Sequence, residues 1–553
     1  VTEPFSFRRA ARDTAGVVWL TTVFWTLLLL VWSVVVPMFN GADEPQHIDI
    51  SLDAAEMPLT GWFAADASNT MSERLGQISR SLGYFDEASI ADPVAPLGRS
   101  SGQRTLEQAP PRDTRLTFDG LDGPANPQFG RVNQMTQHPP LYYRLQGLLI
   151  TSWPGWEQQP ADLVIAVMRV LSVIVVSPLP LLAAWTIRGL GFDRTTEAVA
   201  ALGIVAVPQF AHLGSVVTND SLLIGTGALV TLLLAHVATG DLSRRTAARV
   251  GVATLLAMLT KGVALVLPAA VLVAYWRGAR IGAAPEGVSL ATRLSRSWQP
   301  LAIAGGISSL ALVWYVENAL RFGSLQPSIL APVPPAEQGP LALFLSRAFE
   351  VQTRTFWGRT GWVETGVDTP TATIATVILL VLLAIGSVRL RTALSTVLLS
   401  PAVLAVAAVW YESYKVFGEP FGIRAVAGRY AAAGFLGIVV VAAIGIRRVL
   451  PQRLAPVVTL LTAAGFQGLV MAVSLVWFYG TPPQVTGPGT VQAAAQAMLA
   501  WAPWSPALVR GLVLITAGVG VLLVVAVLRT VTTPGGGEQE DHQRQEQRED
   551  IPA

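Results

Sequence analysis

Asn40-Gly41-Ala42-Asp43-Glu44-Pro45-Gln46-His47 is the stretch that decides how this chain is read. It follows at once on an apolar run, 16–39, long enough to cross a bilayer. Two adjacent carboxylates, and a histidine one helical turn on, therefore sit where the chain leaves the membrane. Pro45 suits the first turn of a helix, where its missing N–H costs nothing. Asp43 is placed to cap that helix, with His47 at i+4 on the same face. The expected helix is amphipathic, lies on the membrane surface through Ile48, Leu52 and Ala55, and stops at Met57-Pro58. A carboxylate beside an apolar surface can take a proton from a hydroxyl, which makes this a candidate general base.

Outward from that point the same apolar pattern repeats. Of 553 residues 52% are hydrophobic and 13% charged, and the mean hydropathy is +0.50. A soluble domain carries about 25% charged residues. The chain thus reads as an all-α polytopic membrane protein. A net charge of +2 gives no purchase on nucleic acid, and the absence of cysteine excludes disulfides and thiolate metal sites. No GxxxxGK[ST], HExxH or GxSxG motif occurs, which argues against ATP-driven pumping, zinc proteolysis and serine hydrolysis.

About twelve runs qualify as spans: 16–38, 162–187, 195–213, 221–238, 247–260, 262–276, 301–316, 371–388, 393–411, 430–446, 454–478 and 507–528. Arg8, Arg9 and Arg12 precede the first, which is too long for a signal peptide. Alternation from a cytoplasmic N-terminus puts the short Arg-bearing connections 188–194, 244–249, 277–296, 389–391 and 447–453 inside. Both termini are then cytoplasmic, and the tail 532–553, rich in Gly, Glu and Gln, is expected to be disordered. The membrane domain is 1–531. The outside receives 40–161, 317–370, 412–429 and 479–506. The first of these ends in Gln137-His138-Pro139-Pro140-Leu141-Tyr142-Tyr143, where Pro140 opens a second juxtamembrane helix with Leu141, Leu145, Leu148 and Leu149 on one face. Runs 247–260 and 262–276 are short, so Lys261 in their shared turn sits below the outer surface, a costly place unless it lines a wet cavity.

Asp43, Glu44, His47, His138, Asp220, Lys261 and Arg429 all fall at outer helix ends, and no comparable acidic cluster marks the inner ends. Each has a plainer reading alone. Asp43 and Asn219-Asp220-Ser221 are favoured helix caps, Lys261 can snorkel, and Trp357 with Trp362 suits interface packing or a sugar platform. Asp43, Glu44 and Asp220 together could offer hard oxygens to a divalent cation.

The ordered set Asp43-Glu44-Pro45-Gln46-His47, His138-Pro139-Pro140-Leu141-Tyr142-Tyr143, Asn219-Asp220-Ser221-Leu222-Leu223, Thr260-Lys261-Gly262, Phe356-Trp357-Gly358 and Gly428-Arg429-Tyr430 resembles the GT-C superfamily of membrane glycosyltransferases. Within it the chain looks most like a bacterial, actinobacterial-type branch of predicted membrane proteins. Ala427 departs from the pattern, where glutamine is expected. The resemblance implies a GT-C-like bundle in the plasma membrane that takes a sugar from a polyprenyl-phosphate donor. The acceptor would be a cell-envelope glycan or lipid on the outer face, and the reaction inverting. By that likeness Asp43 is the base, and Glu44 orients the acceptor or serves as the base in place of Asp43. Lys261 and Arg429 hold the phosphate, His138 bonds the phosphate or Asp43, and His47, Tyr142, Asp220, Tyr430 and Trp357 line the substrate site. An apolar groove for the prenyl chain is expected near the 260–262 turn. The alternatives are a transporter or flippase of a lipid-linked intermediate, and a non-catalytic scaffold.

Overall fold

The structure, a computed structural model, describes residues 5–56, 71–83, 104–121, 133–281, 289–327, 337–361, 365–390, 392–418, 423, 426–480 and 488–532. The expected stop at Met57-Pro58, Trp362 and the tail beyond 532 lie outside them. The regular structure of the described chain is helical apart from one two-residue hairpin that pairs Arg359–Thr360 with Thr365–Gly366 and an isolated bridge between Thr117 and Pro160.

Among the described residues nine helices are long and apolar enough to cross a membrane. The three further expected spans correspond to helices too short to qualify, so the expected count of about twelve is not reached among the described residues. Run 195–213 is broken into Arg194–Val205 and Pro208–Leu213, because Pro208 cannot continue the first helix. Run 247–260 is Arg244–Met258, 15 residues or about 22 Å. Run 262–276 is a 3-10 turn, Gly262–Val266, followed by Leu267–Gly278. The helices on either side of the turn at Lys261 are therefore each shorter than a full crossing.

Asn219–Ala238 is the central helix, with 83% of its apolar window buried, whereas Thr369–Leu390 and Pro506–Arg529, at 11% and 17%, present Val and Leu outward as a lipid-facing helix must. Small residues let backbones meet around the centre. A Cβ on Gly227 would stand 2.5 Å from the Ala433 carbonyl oxygen. The stretch Gly428–Gly434 is thereby held against the first turns of the central helix.

The Arg-bearing connections meet at one end of the bundle. There the Phe5 amide donates to Asp241 (3.2 Å), Arg249 donates to the Phe5 carbonyl (2.6 Å), Arg188 pairs with Glu197 (2.6 Å) and Arg447 with Asp193 (3.7 Å). The first span, Gly16–Val35, carries the chain about 30 Å away to the other end.

Helix Glu44–Glu56 does not lie on the surface. Ile48, Asp49, Ile50 and Leu52 are all buried, so both of its faces are covered. Helix Leu141–Thr151 packs beneath it, and Asn133 ties it down by donating to the Gln46 carbonyl (3.1 Å) and to Asp49 (3.0 Å). The sequence period was amphipathic only because Asp49 and Ser51 are polar, and both are satisfied inside the fold by Ser72, Asn133 and the His47 carbonyl. The second juxtamembrane helix does keep an apolar outer face, with Leu145 and Leu148 exposed and Tyr142, Tyr143 and Gln146 buried. The first loop is fastened to the segment before the last span by Arg112, which donates to the Leu499 and Pro503 carbonyls, and by Arg115, which donates to the Ala500 and Ala502 carbonyls (2.7 and 3.0 Å) and also pairs with Asp162.

Candidate functional site

The site is built where the first span ends. Phe39 and Asp43 both adopt positive φ (70° and 58°) and reverse the chain around Asn40-Gly41-Ala42. Asp is one of the few side chains that tolerates this backbone region. The turn aims the two neighbouring carboxylates in different directions.

Glu44 points inward. Its Oε1 accepts from Arg169 Nε (2.8 Å) and the Val217 amide (2.9 Å), and its Oε2 from Arg169 Nη2 (2.6 Å) and the Gly41 amide (3.1 Å). Four donors fill a carboxylate's four lone-pair positions. The remaining Arg169 N–H groups donate to the carbonyls of Ser33, Val36 and Pro37 (2.6, 2.6 and 2.9 Å), the open end of the first span. Neither side chain is exposed. Glu44 thus has no lone pair free for an acceptor hydroxyl, which corrects its expected role as an alternative base. Arg169 was missed in the sequence, although a lone arginine inside the run 162–187 is itself the signal.

Asp43 points the other way. It does not cap the helix; instead its Oδ2 accepts from Arg429 Nη2 at 2.9 Å and its Oδ1 from Gln134 Nε2 at 3.4 Å. Arg429 Nη1 lies 3.9 Å from Asp220 Oδ2, and Asp220 Oδ1 accepts from Lys261 Nζ at 2.6 Å. The order Asp43, Arg429, Asp220, Lys261 is therefore one alternating row of charges drawn from four separated segments. The Tyr430 ring lies under both cations, 5.6 Å from Lys261 Nζ and 5.7 Å from the Arg429 guanidinium carbon. Arg429 is 21% and Asp43 11% exposed, whereas Asp220 is 1% exposed. Asp220 is accordingly the buried counter-ion that spaces the two cations. The helix behind it is capped by Thr218, whose hydroxyl accepts from the Asp220 amide (3.3 Å), one residue before the expected cap at Asn219-Asp220-Ser221.

His47 is buried, stacked on Tyr143 with its Nδ1 3.0 Å from the Tyr143 hydroxyl and its Nε2 3.3 Å from Thr218 Oγ1. His138 keeps a buried Nδ1 with no hydrogen-bond partner. Burial, and then the nearby Lys261 charge, hold both imidazoles well below their ordinary pKa. Tyr142 faces away from the row, bonded to Gln146 (2.8 Å) and Ser172 (3.2 Å), and burial pushes its hydroxyl up to about 12. The tyrosine at the site is Tyr143, not Tyr142.

Trp357 is apart from the charge row. Its indole N–H donates to Thr376 (2.8 Å) and its ring stacks on Phe466 (centroids 5.2 Å apart). It lines an apolar groove of about 540 Å³ with Phe356, Phe435, Ile438, Leu379 and Phe466. No residue of the 260–262 turn lines that groove, so the expected position near the turn is corrected. Gly428, next to Arg429 in sequence, packs against the groove residue Phe356, and its amide donates to Thr355 (2.7 Å). A Cβ there would stand 2.3 Å from the Phe356 Cα.

The carboxylates do not make a metal site. Glu44 is filled by Arg169, Asp43 and Asp220 are each countered by a cation, and among the described residues no group of three acidic, His or Cys side chains converges.

A family described as "Predicted membrane protein (DUF2142)" matches residues 26–441. The chain belongs to this family. The matched part of this DUF2142 protein takes in every member of the row and ends inside the helix Phe435–Val449. No curated protein matches it. Among solved structures it is similar to ArnT from Cupriavidus metallidurans in the apo state, at 17% identity and TM-score 0.41, over 92% of this chain and 73% of that one. It is also similar to the same protein bound to undecaprenyl phosphate, at 16% and 0.42 over 94% and 74%. A third is the Archaeoglobus fulgidus oligosaccharyltransferase in the apo form, at 13% and 0.42 over 85% and 58%.

Proposed function

We propose that this membrane protein is a glycosyltransferase that moves a sugar from a polyprenyl-phosphate donor to a cell-envelope acceptor at the outer face of the plasma membrane. The carrying observation is the row Asp43, Arg429, Asp220, Lys261, with its cations over Tyr430 and its partly exposed Arg429 one residue from Gly428, which packs on Phe356 of an apolar groove. A charged head joined to a long apolar chain is the ligand such a place suits.

In this reading Arg429 binds the donor phosphate, with Lys261 behind it. The row is neutral as it stands, two carboxylates against two cations. A phosphate must therefore compete with Asp43 for Arg429, and its arrival frees the carboxylate. Asp43 then takes the proton of the acceptor hydroxyl. The hydroxyl oxygen attacks the anomeric carbon from the face opposite the phosphate, with inversion. The bond from that carbon to the phosphate oxygen breaks, and its electron pair leaves with the prenyl phosphate. Arg429 and Lys261 stabilise the charge that grows there. The prenyl chain runs from Arg429 past Gly428 into the groove at Phe356 and Phe435. His138, neutral and with a spare ring nitrogen, serves as a hydrogen-bond partner for donor or acceptor. Glu44 and Arg169 fix the turn that carries Asp43.

The test is purified full-length protein in vesicles with radiolabelled polyprenyl-phosphate sugars and envelope lipid and glycan fractions. Transfer that depends on Asp43 is expected. Wild-type protein that binds no polyprenyl phosphate sinks the proposal.

A further inference from the structure

At the end of the bundle opposite Asp43, a cavity of about 840 Å³ opens between three helices. Phe192, Asp193, Ile385, Arg389, Arg447 and Arg448 line it. Arg447 is engaged there, since it donates to the Leu450 carbonyl (3.0 Å) and faces Asp193 at 3.7 Å. Arg389 and Arg448 are exposed, and among the described residues neither makes an ion pair or side-chain hydrogen bond. Asp193 is committed elsewhere too, accepting from the Thr196 amide (2.7 Å) and hydroxyl (2.8 Å) as a helix cap. The cavity thus holds three guanidinium groups against one carboxylate.

Its walls adjoin the apolar groove on the same three helices. Thr196 lines the cavity and Val199 the groove, Ile385 the cavity and Leu382 the groove, Ile444 the cavity and Ala443 the groove. The lower groove wall is completed by Val449, Leu450 and Val458. A concentration of positive charge at the level of helix ends, beside an apolar trough, fits one class of ligand in a bilayer. That class is a lipid with an anionic phosphate head.

We propose that this cavity binds an anionic phospholipid of the leaflet opposite Asp43, its phosphate on Arg389, Arg447 and Arg448 and one acyl chain in the lower groove. The site is separate from the charge row and does not depend on the transfer reading. An arginine placed only to orient the chain needs no cavity, and it would show no preference among lipids of the folded protein.

The experiment uses the full chain, purified and returned to mixed vesicles of phosphatidylglycerol and phosphatidylcholine, then extracted for native mass spectrometry of retained lipid. Wild type is expected to retain phosphatidylglycerol in preference. R389A/R448A, at two exposed positions, should lower that preference roughly tenfold or more, since each cation near the surface adds to anionic lipid affinity. R389K/R448K should keep it. Val458→Trp, a bulky residue at an exposed groove position, should lose bound phospholipid with the arginines intact. No preference in the wild type, or a preference unchanged in R389A/R448A, overturns the proposal. So does competition by soluble glycerol phosphate as effective as that of phosphatidylglycerol, because a bare phosphate site would then suffice.

Discussion

Arg169 grips Glu44 through two parallel N–H···O bonds, 2.8 and 2.6 Å long, with neither side chain exposed to solvent. The pair ties the second apolar region to the turn that presents Asp43. Arg169→Met leaves a buried carboxylate uncompensated and is expected to cost about 3–5 kcal/mol. The double variant Glu44→Gln with Arg169→Met removes both charges and should recover much of that loss. Thermal unfolding of the full chain in one detergent measures both. Equal losses in the single and double variants would mean that the ion pair is not what holds the turn.

Asp43→Asn separates base from backbone. Asparagine tolerates the positive φ at this position as well as aspartate does, so the turn survives. The variant removes the anion that competes for Arg429. Donor affinity is therefore expected to stay the same or rise, while transfer falls by roughly 10²–10⁴-fold, the usual worth of a general base. Equilibrium binding of a polyprenyl phosphate and single-turnover transfer, measured side by side, test this. A fall in affinity equal to the fall in rate would place Asp43 in binding rather than proton transfer.

In the proposed mechanism Lys261 has two duties, which need separate variants. Lys261→Met alone leaves Asp220 buried without its 2.6 Å partner, and lost stability is expected together with lost donor affinity. Adding Asp220→Asn should restore much of the stability but not the affinity. Should the double variant bind polyprenyl phosphate like wild type, the phosphate contact belongs to Arg429 alone.

Much of this row was legible because sidedness is a one-dimensional property. Asp43, Asp220, Lys261 and Arg429 each stand at the end of an apolar run, and alternation of spans puts those ends together. What could not be read was direction. Asp43 and Glu44 are neighbours of the same chemistry, and only the positive φ at residue 43 turns one to Arg429 and the other to Arg169. Tyr142 and Tyr143 pose the same problem on a helix, where adjacent side chains point about 100° apart. Helix Glu44–Glu56 was misjudged because its polar face is buried under a loop whose packing leaves no local period. The groove was misplaced because an apolar wall made by helices far apart in sequence has no signature in any one of them.

The buried histidines beside the charge row, His47 and His138, contribute a pH dependence. His47 and His138 stay neutral in the fold to below their ordinary value of 6.5. At acid pH the unfolded chain therefore binds more protons than the native one. The stability this confers is complete above about pH 6.5 and is lost as pH falls toward the lower folded values. Melting temperature is expected to drop between pH 7 and pH 5, and His138→Gln should flatten the drop. Parallel curves for wild type and variant would remove His138 from the account.

Gly428→Ala tests whether backbone contact at the groove sets the charge row. The added methyl would stand 2.3 Å from the Phe356 Cα and 2.4 Å from its amide nitrogen, neither of which can swing aside as a side chain would. The start of the 3-10 helix Gly428–Gly434 must back away, and Arg429 must move with it from its 2.9 Å bond to Asp43. Overpacking of this kind costs about 1–3 kcal/mol. Gly468→Ala is the control, since a Cβ there meets nothing within 4 Å. G428A is expected to melt lower and to bind polyprenyl phosphate more weakly than G468A under the same conditions. If the two behave alike, Arg429 is positioned by its charge partners rather than by the close packing of Gly428 on Phe356.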